Sequence, residues 1–304
     1  MFAFNFSVDE SSNSTQVTAN DAPASTQVYH TRHGERFHWS KASDWQQTTQ
    51  FVPVTLPITS SEALQFEIVN ASDAQFIART GAISSILTTS DLQAGVYEGG
   101  FKLWECALDL VKFMAQHERF RSMEGKRVTE LGCGHGLPGI YALQRGATQV
   151  TFMDYNKEVL ELTTCPNVLR NVHDNEALYS KASFYAGAWS SVAQHMTESE
   201  HITQEEQQFD VILTAETVYT EPVAIELFQT EKIFFSQAIK QHLRRSPDAV
   251  ALVAAKKYYF GTGGSVQHFM DLVNQDGQLT AQVVWEESDG RSNMRAIVVV
   301  THAM

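Results

Sequence analysis

Glu130-Leu131-Gly132-Cys133-Gly134-His135-Gly136 follows directly on the run Arg127 to Leu131 and leads straight into a helical pattern from Leu137 to Arg145. A strand that ends in a glycine-rich turn and opens a helix brings backbone close to a ligand, because glycine accepts positive φ and has no Cβ to clash. Gly134, Gly136 and Gly139 also match the G-x-G-x-x-G spacing of dinucleotide sites. The next strand, Gln149 to Asp154, ends on an acid placed to meet ribose hydroxyls. NAD(P) and S-adenosylmethionine both carry such a ribose, and the turn itself separates them. Glu130 offers a carboxylate to the amino group of a methionine moiety, where a pyrophosphate would be repelled. The chain also lacks a Tyr-x-x-x-Lys pair.

Outward from this turn, helical and strand periods alternate. Upstream, Leu103, Ala107, Leu108, Leu110, Val111 and Met114 recur at helical spacing. Downstream, a helix is expected from about Asn156, with Glu158 and Glu161 in early turns where the helix dipole favours acids. Strands are expected over Phe184 to Gly187, Phe209 to Thr214, Ala249 to Ala255, Gln282 to Glu286 and Ala296 to Thr301. Pro222 should open a long helix ending near Arg245, and Ser265 to Asn274 reads as another. Such alternation implies an α/β fold built on a seven-strand doubly wound sheet. The two closing strands, joined by a short turn, imply an antiparallel hairpin at one edge, the mark of a class I S-adenosylmethionine-dependent methyltransferase sheet rather than an ordinary dinucleotide one.

That domain is expected over residues 91–304. Residues 31–90 read as an N-terminal extension wrapping the core, with a β-prone run from Gln50 to Leu56. Residues 1–30 read as disordered or loosely docked, being rich in Ser, Thr, Asn and Asp, with an aromatic start at Phe2, Phe4 and Phe6. His30, His33 and His38 lack companions at ligand spacing, so no metal is expected.

Composition bounds the partners. A formal net charge of −13 repels phosphate backbones, so direct nucleic-acid binding is not expected, while a basic polypeptide is a compatible partner. Cys106, Cys133 and Cys165 are too few and too scattered for a disulfide framework. With no basic, apolar leader and no long apolar run, a soluble intracellular protein is expected.

A second signal follows the fourth core strand, Thr214-Ala215-Glu216-Thr217-Val218-Tyr219. Ligands of open sheets bind beyond the carboxyl ends of strands at the topological switch point, so this segment should face the transferred group. Glu216 and Tyr219, three residues apart, can share one face of a turn as acceptor and donor.

At this point the chain resembles the protein-histidine N-methyltransferases, over about residues 91 to 301. The resemblance is carried by Tyr97-Glu98-Gly99-Gly100, Leu103-Trp104-Glu105-Cys106, the glycine turn, Asp154-Tyr155-Asn156, Pro166-Asn167-Val168, Gly187-Ala188-Trp189, Glu216-Thr217-Val218-Tyr219 and Tyr259-Phe260-Gly261-Thr262-Gly263-Gly264. It implies methyl transfer from S-adenosylmethionine to a histidine of a large-subunit ribosomal protein, called L-three. It also implies that Leu103, Trp104, Glu105, Cys106 and Ala107 line the cofactor pocket, with Gly132 and Gly134 along the methionine moiety. Asp154 would bind the ribose, Tyr155 and Asn156 would lie beside the adenosine, Gly187, Ala188 and Trp189 would enclose adenine, and Thr214 and Ala215 would close the donor side. Ala188 departs from the acid expected between Gly187 and Trp189. Related lysine enzymes carry Asp-x-x-Tyr where this chain has Glu216-x-x-Tyr219, so histidine is the expected acceptor and lysine the alternative. Glu216 and Tyr219 are the candidate catalytic residues, one of them accepting the distal N–H of the ring. A monomer acting in the cytoplasm, with access to the nucleus, is the accompanying expectation. A binding module that has lost turnover and an NAD(P) oxidoreductase are the remaining rivals.

Overall fold

The computed structural model describes residues 32–39, 48–93, 95–173, 175–220, 223, 238–288 and 294–303. The expectation for residues 1–30 and most of the helix expected after Pro222 lie outside these residues.

Five strands run parallel where the hydrophobic runs predicted them: β4 (Arg127–Leu131), β5 (Gln149–Asp154), β6 (Ala182–Ala186), β7 (Val211–Ala215) and β8 (Val250–Lys256). The closing hairpin, β9 (Leu279–Ser288) and β10 (Met294–His302), adds two antiparallel strands. An eighth strand was not foreseen. Glu35–Arg36, here β1, comes from the extension and pairs antiparallel with the outer edge of β6. The full order is β1-β6-β5-β4-β7-β8-β10-β9. From β4 the chain winds outward to β5 and β6, then returns to β7 and β8 on the other side. The switch point therefore lies between β4 and β7, and a crevice opens at their carboxyl ends.

Alternation along the strands divides the core in two. Val150, Phe152, Leu213 and Leu252 face one layer of helices, while Met153, Ile212 and Val253 face the other. The first layer holds α2 (Glu105–Gln116), α3 (Leu137–Gln144) and α4 (Cys165–Asn171). The second holds α5 (Trp189–Glu198), α6 (Ala238–His242) and α7 (Val266–Asp276). Ser265 caps α7 by accepting the His268 N–H at 3.1 Å, and Gly277 ends it with φ +71°. The short helix α1 (Ala74–Arg79) belongs to the extension and is capped by Asp73.

Within the extension, β2 (Phe51–Pro57) pairs with β3 (Ala63–Val69) as a separate two-stranded sheet. Two asparagines one helical turn apart on α4 dock it. Asn167 Oδ1 accepts the Val69 N–H at 2.7 Å, and Asn171 accepts from Glu67 N and donates to Glu67 O. Residues 31–90 and the sheet fall within one compact unit, Thr31–Met304. No helix among the described residues is long and apolar enough to cross a membrane.

Candidate active site

The glycine turn leaves β4 through three positive-φ residues, Gly132 (65°), Gly134 (49°) and Gly136 (73°). A Cβ on Gly132 would stand 2.7 Å from the Thr217 methyl, and one on Gly134 would stand 3.2 Å from the Gly100 carbonyl oxygen. Side chains are excluded here by what closes over the turn, which is the space a ligand's chain would share. Opposite lies Asp154, at the end of β5. Its Oδ2 accepts the Gly134 N–H at 2.9 Å and its Oδ1 the Asn156 N–H at 3.0 Å. Burial pushes this carboxyl up to about 6, against the pull of those two N–H groups and of Arg32.

Glu130 differs from expectation. Its carboxylate is 2% exposed and its Oε2 accepts the Gly139 N–H at 2.8 Å, beneath the first turn of α3. It braces the helix N-terminus instead of meeting a ligand's amino group, because alternation along β4 turns it into the core. Burial holds it well above the usual carboxylate range.

Residues 95–104 roof the turn. Glu98 N–H donates to Asn156 Oδ1 (3.0 Å), Asn156 Nδ2 to Val96 O (2.8 Å), and the Tyr155 hydroxyl to Gly95 O (3.1 Å). Trp104 Nε1 donates to Gly99 O at 3.0 Å, with the Lys102 ammonium 4.4 Å from its ring centre. So Trp104, Tyr155 and Asn156 are gathered around one roof. Leu103 and Ala107 are half-buried and Cys106 fully buried, whereas Glu105 is exposed, 3.7 Å from the Lys256 ammonium.

After β7, the Thr214 hydroxyl donates to Leu131 O at 2.8 Å and lies 2.7 Å from Thr217 Oγ1, which ties this strand end, with half-buried Ala215, to the glycine turn. Glu216 adopts φ +59°, rare for a side-chain-bearing residue and common at functional sites. Glu216 and Tyr219 do not share a face. The positive φ sends Glu216 toward β8, where Oε2 accepts the Tyr259 hydroxyl at 2.6 Å and Oε1 lies 3.9 Å from Lys256 Nζ. Tyr219 turns the other way and donates to the Glu98 carboxylate of the roof. Burial raises the Glu216 carboxyl above its ordinary range, opposed by the Lys256 ammonium and by Cys106 and Tyr259.

The loop from Tyr258 to Gly264 is fastened to this segment: Thr262 Oγ1 donates to Tyr219 O at 2.5 Å and Gly264 N–H to the same oxygen at 3.1 Å. It presents Tyr258 (58% exposed) and Phe260 (77% exposed) outward while Tyr259 points in.

At the β6 side, Trp189 comes 3.9 Å from where a Cβ on Gly132 would stand. Gly187 and Ala188, however, are covered by the extension. Ala188 N–H donates to Arg32 O at 3.1 Å, and a Cβ on Gly187 would stand 2.5 Å from His33 O. The Ala188 N–H is thus taken by the chain's own strap, residues 32–37. Arg32 reaches on to Glu158 at 3.1 Å and lies over the Tyr155 ring. Arg32, Glu98, Lys256 and Tyr259 are the site residues that sequence reading missed. Glu98 and Tyr259 stood in quoted motifs without a role, while nothing local marks Arg32 or Lys256. Among the described residues, no three His, Cys, Asp or Glu side chains gather as metal ligands do.

The residues fit S-adenosylmethionine: a cradle free of side chains at Gly132 and Gly134, and a buried acid at the end of β5 whose oxygens, among the described residues, accept backbone N–H groups and no side-chain donor.

Comparison with known proteins places this geometry. A family model described as lysine methyltransferase matches residues 87–245. A protein of Dictyostelium discoideum named histidine protein methyltransferase 1 homolog is 38% identical over 217 residues, covering 71% of this chain and 62% of that one. Its namesake from Bos taurus is 34% identical, covering 63% of this chain and 52% of that one. A protein N-terminal and lysine N-methyltransferase of Schizosaccharomyces pombe is 23% identical, with 64% and 74% covered. The chain thus spans 62% and 52% of the length of the two histidine-named relatives.

Proposed function

Since the chain belongs to the S-adenosylmethionine-dependent methyltransferase family that the lysine methyltransferase model describes, we propose that it methylates a histidine ring nitrogen of a protein, with ribosomal protein L-three of the large subunit as substrate. The observation that carries the histidine reading is the surrounding of Glu216. The residue is 8% exposed and, among the described residues, Oε1 has no N–H or O–H donor in hydrogen-bond reach, with the Lys256 ammonium beside it. A neutral imidazole can donate its distal N–H to such an oxygen. A substrate lysine would bring a second ammonium beside Lys256 and would have to lose its proton first. About three quarters of free histidine is already neutral at pH 7, so no strong base is needed. The names of the relatives at 38% and 34% identity support the same acceptor.

When bound, the cofactor supplies the electrophilic methyl group. Gly132 and Gly134 would hold its methionine portion and Asp154 its ribose, under the roof of residues 95–104. Trp189 and Thr217 wall the turn and exclude water. Glu216 fixes the tautomer of the acceptor ring so that the other nitrogen faces the methyl group. Tyr219, its hydroxyl hydrogen-bonded to Glu98, closes the roof over the site, and the loop 258–264 seats the polypeptide with Tyr258 and Phe260. The same reading makes the protein a monomer that meets newly made substrate in the cytoplasm or nucleus.

The test is transfer from isotopically labelled cofactor to isolated L-three, with the mark located by mass spectrometry. A labelled histidine is expected, lost on Asp154→Ala and reduced more than about tenfold by Glu216→Gln. A labelled lysine would move the chain to the alternative acceptor, and tight cofactor binding without transfer would mark a binding module.

A further inference from the structure

A carboxylate that must meet an incoming N–H from one direction needs its other oxygen and its charge held from behind. Around Glu216 that support comes from the end of β8 and the loop after it. The Tyr259 hydroxyl oxygen accepts the backbone N–H of Lys256 at 3.1 Å, which leaves its single proton for Glu216 Oε2 at 2.6 Å. Burial and the Glu216 charge push that hydroxyl well above its ordinary range, so it stays a donor. Lys256 Nζ lies 3.9 Å from Glu216 Oε1, 3.7 Å from Glu105 and 5.3 Å from the centre of the Trp104 ring, a position that draws negative charge toward Oε1 without filling its hydrogen-bond site. Resting on the histidine reading above, we infer that Tyr259 and Lys256 are the positioning residues of Glu216, with Tyr259 orienting the carboxylate and Lys256 keeping it ionised.

This assignment gives the tethered loop a second task. Tyr259 stands between the two exposed aromatics of the loop and is joined to Tyr219 through Thr262 and Gly264, so the element that seats the polypeptide also sets the direction of the accepting oxygen. The titratable groups facing Glu216 are Lys256 of β8, Tyr259 of the loop, and Glu105 and Cys106 of α2. Three of the four, Lys256, Cys106 and Tyr259, favour the anion by charge or donation, and Glu105 opposes it.

The test is a ¹³C NMR titration of the Glu216 carboxyl in the full chain, assigned by its absence in Glu216→Gln. It runs beside steady-state transfer from labelled S-adenosylmethionine to isolated L-three. In Tyr259→Phe the carboxyl should titrate at higher pH, because a stabilising donor is gone, and kcat should fall about tenfold while KM for L-three and cofactor affinity stay within about twofold. Lys256→Met should shift the titration the same way, and Lys256→Arg should restore it. The lysine variants decide the matter if Tyr259→Phe does not fold. An unmoved Glu216 titration overturns the inference, as does a kcat loss that merely follows a fall in melting temperature. A wild-type chain that leaves L-three unlabelled, or a Glu216→Gln variant at full rate, overturns the functional reading instead. The titration still decides the positioning claim.

Discussion

Asp154 holds its proton to a higher pH than an exposed aspartate because the folded chain takes it out of water, and two backbone N–H groups and the Arg32 charge do not make up for that loss. A ribose bound through this group calls for the anion, as the acceptor of two hydroxyls. Below about 6 the free protein is mostly protonated there, so binding must first expel a proton. Affinity is therefore lost as pH falls through that value. Calorimetric titration with S-adenosylhomocysteine should show binding about tenfold weaker at pH 5 than at pH 7, and Asp154→Asn should be weak and flat across the range. This aspartate and Gly132 were legible in the sequence because a strand, a turn and a helix follow one another within a few residues. Glu216 was legible as a position but not in its direction, since the positive φ that turns it away from Tyr219 leaves no mark in composition.

Among the elements, the five parallel strands could be placed from their sequences almost to the residue, for continuous apolar runs between helices allow few other readings. β1 could not, being two exposed residues whose only reason to extend is the open edge of β6. The hairpin β2–β3 was half legible: its first strand stood out, but the asparagines that dock it lie some hundred residues away on α4. The loop after β8 shows how two adjacent glycines differ. Gly263 has φ +82° with open space where a Cβ would go, so Gly263→Ala should cost roughly 1 kcal/mol of stability through backbone strain alone. Gly264 has a Tyr219 carbonyl carbon 2.3 Å from the same point and the Val218 oxygen at 2.1 Å. Gly264→Ala must push the loop off the Glu216 segment. Methyl transfer should fall far more in this variant than in Gly263→Ala, while cofactor affinity changes little in either. Equal transfer rates in the two would show that the loop's seat against Tyr219 is not needed.

Over the whole molecule, buried ionisable groups set how the fold meets acid. His135 lies within the glycine turn, one ring nitrogen on Phe101 O at 2.9 Å and the other 3.2 Å from the Asn167 amide, and burial pushes it down to about 4. Unfolded, the same ring takes a proton near 6.5. The stability it withholds is thus intact above that value and drains away as pH falls toward 4, by roughly 3 kcal/mol. Asp154 works against it, since its raised value lets the folded form bind a proton earlier than the unfolded one. In urea titrations at pH 7 and pH 4.5, His135→Gln should therefore lose less stability on acidification than wild type; an equal loss would show that the ring is not what acid attacks. The strap that crosses Gly187 and Ala188 has a different consequence, one of timing. As the chain is synthesised, β1 is the first strand of the sheet to leave the ribosome, yet its partner β6 comes only after β4 and β5. β1 is thus left without its partner while β4 and β5 are made. During that interval it is open to pairing with another edge, including β6 of a neighbouring chain on the same message.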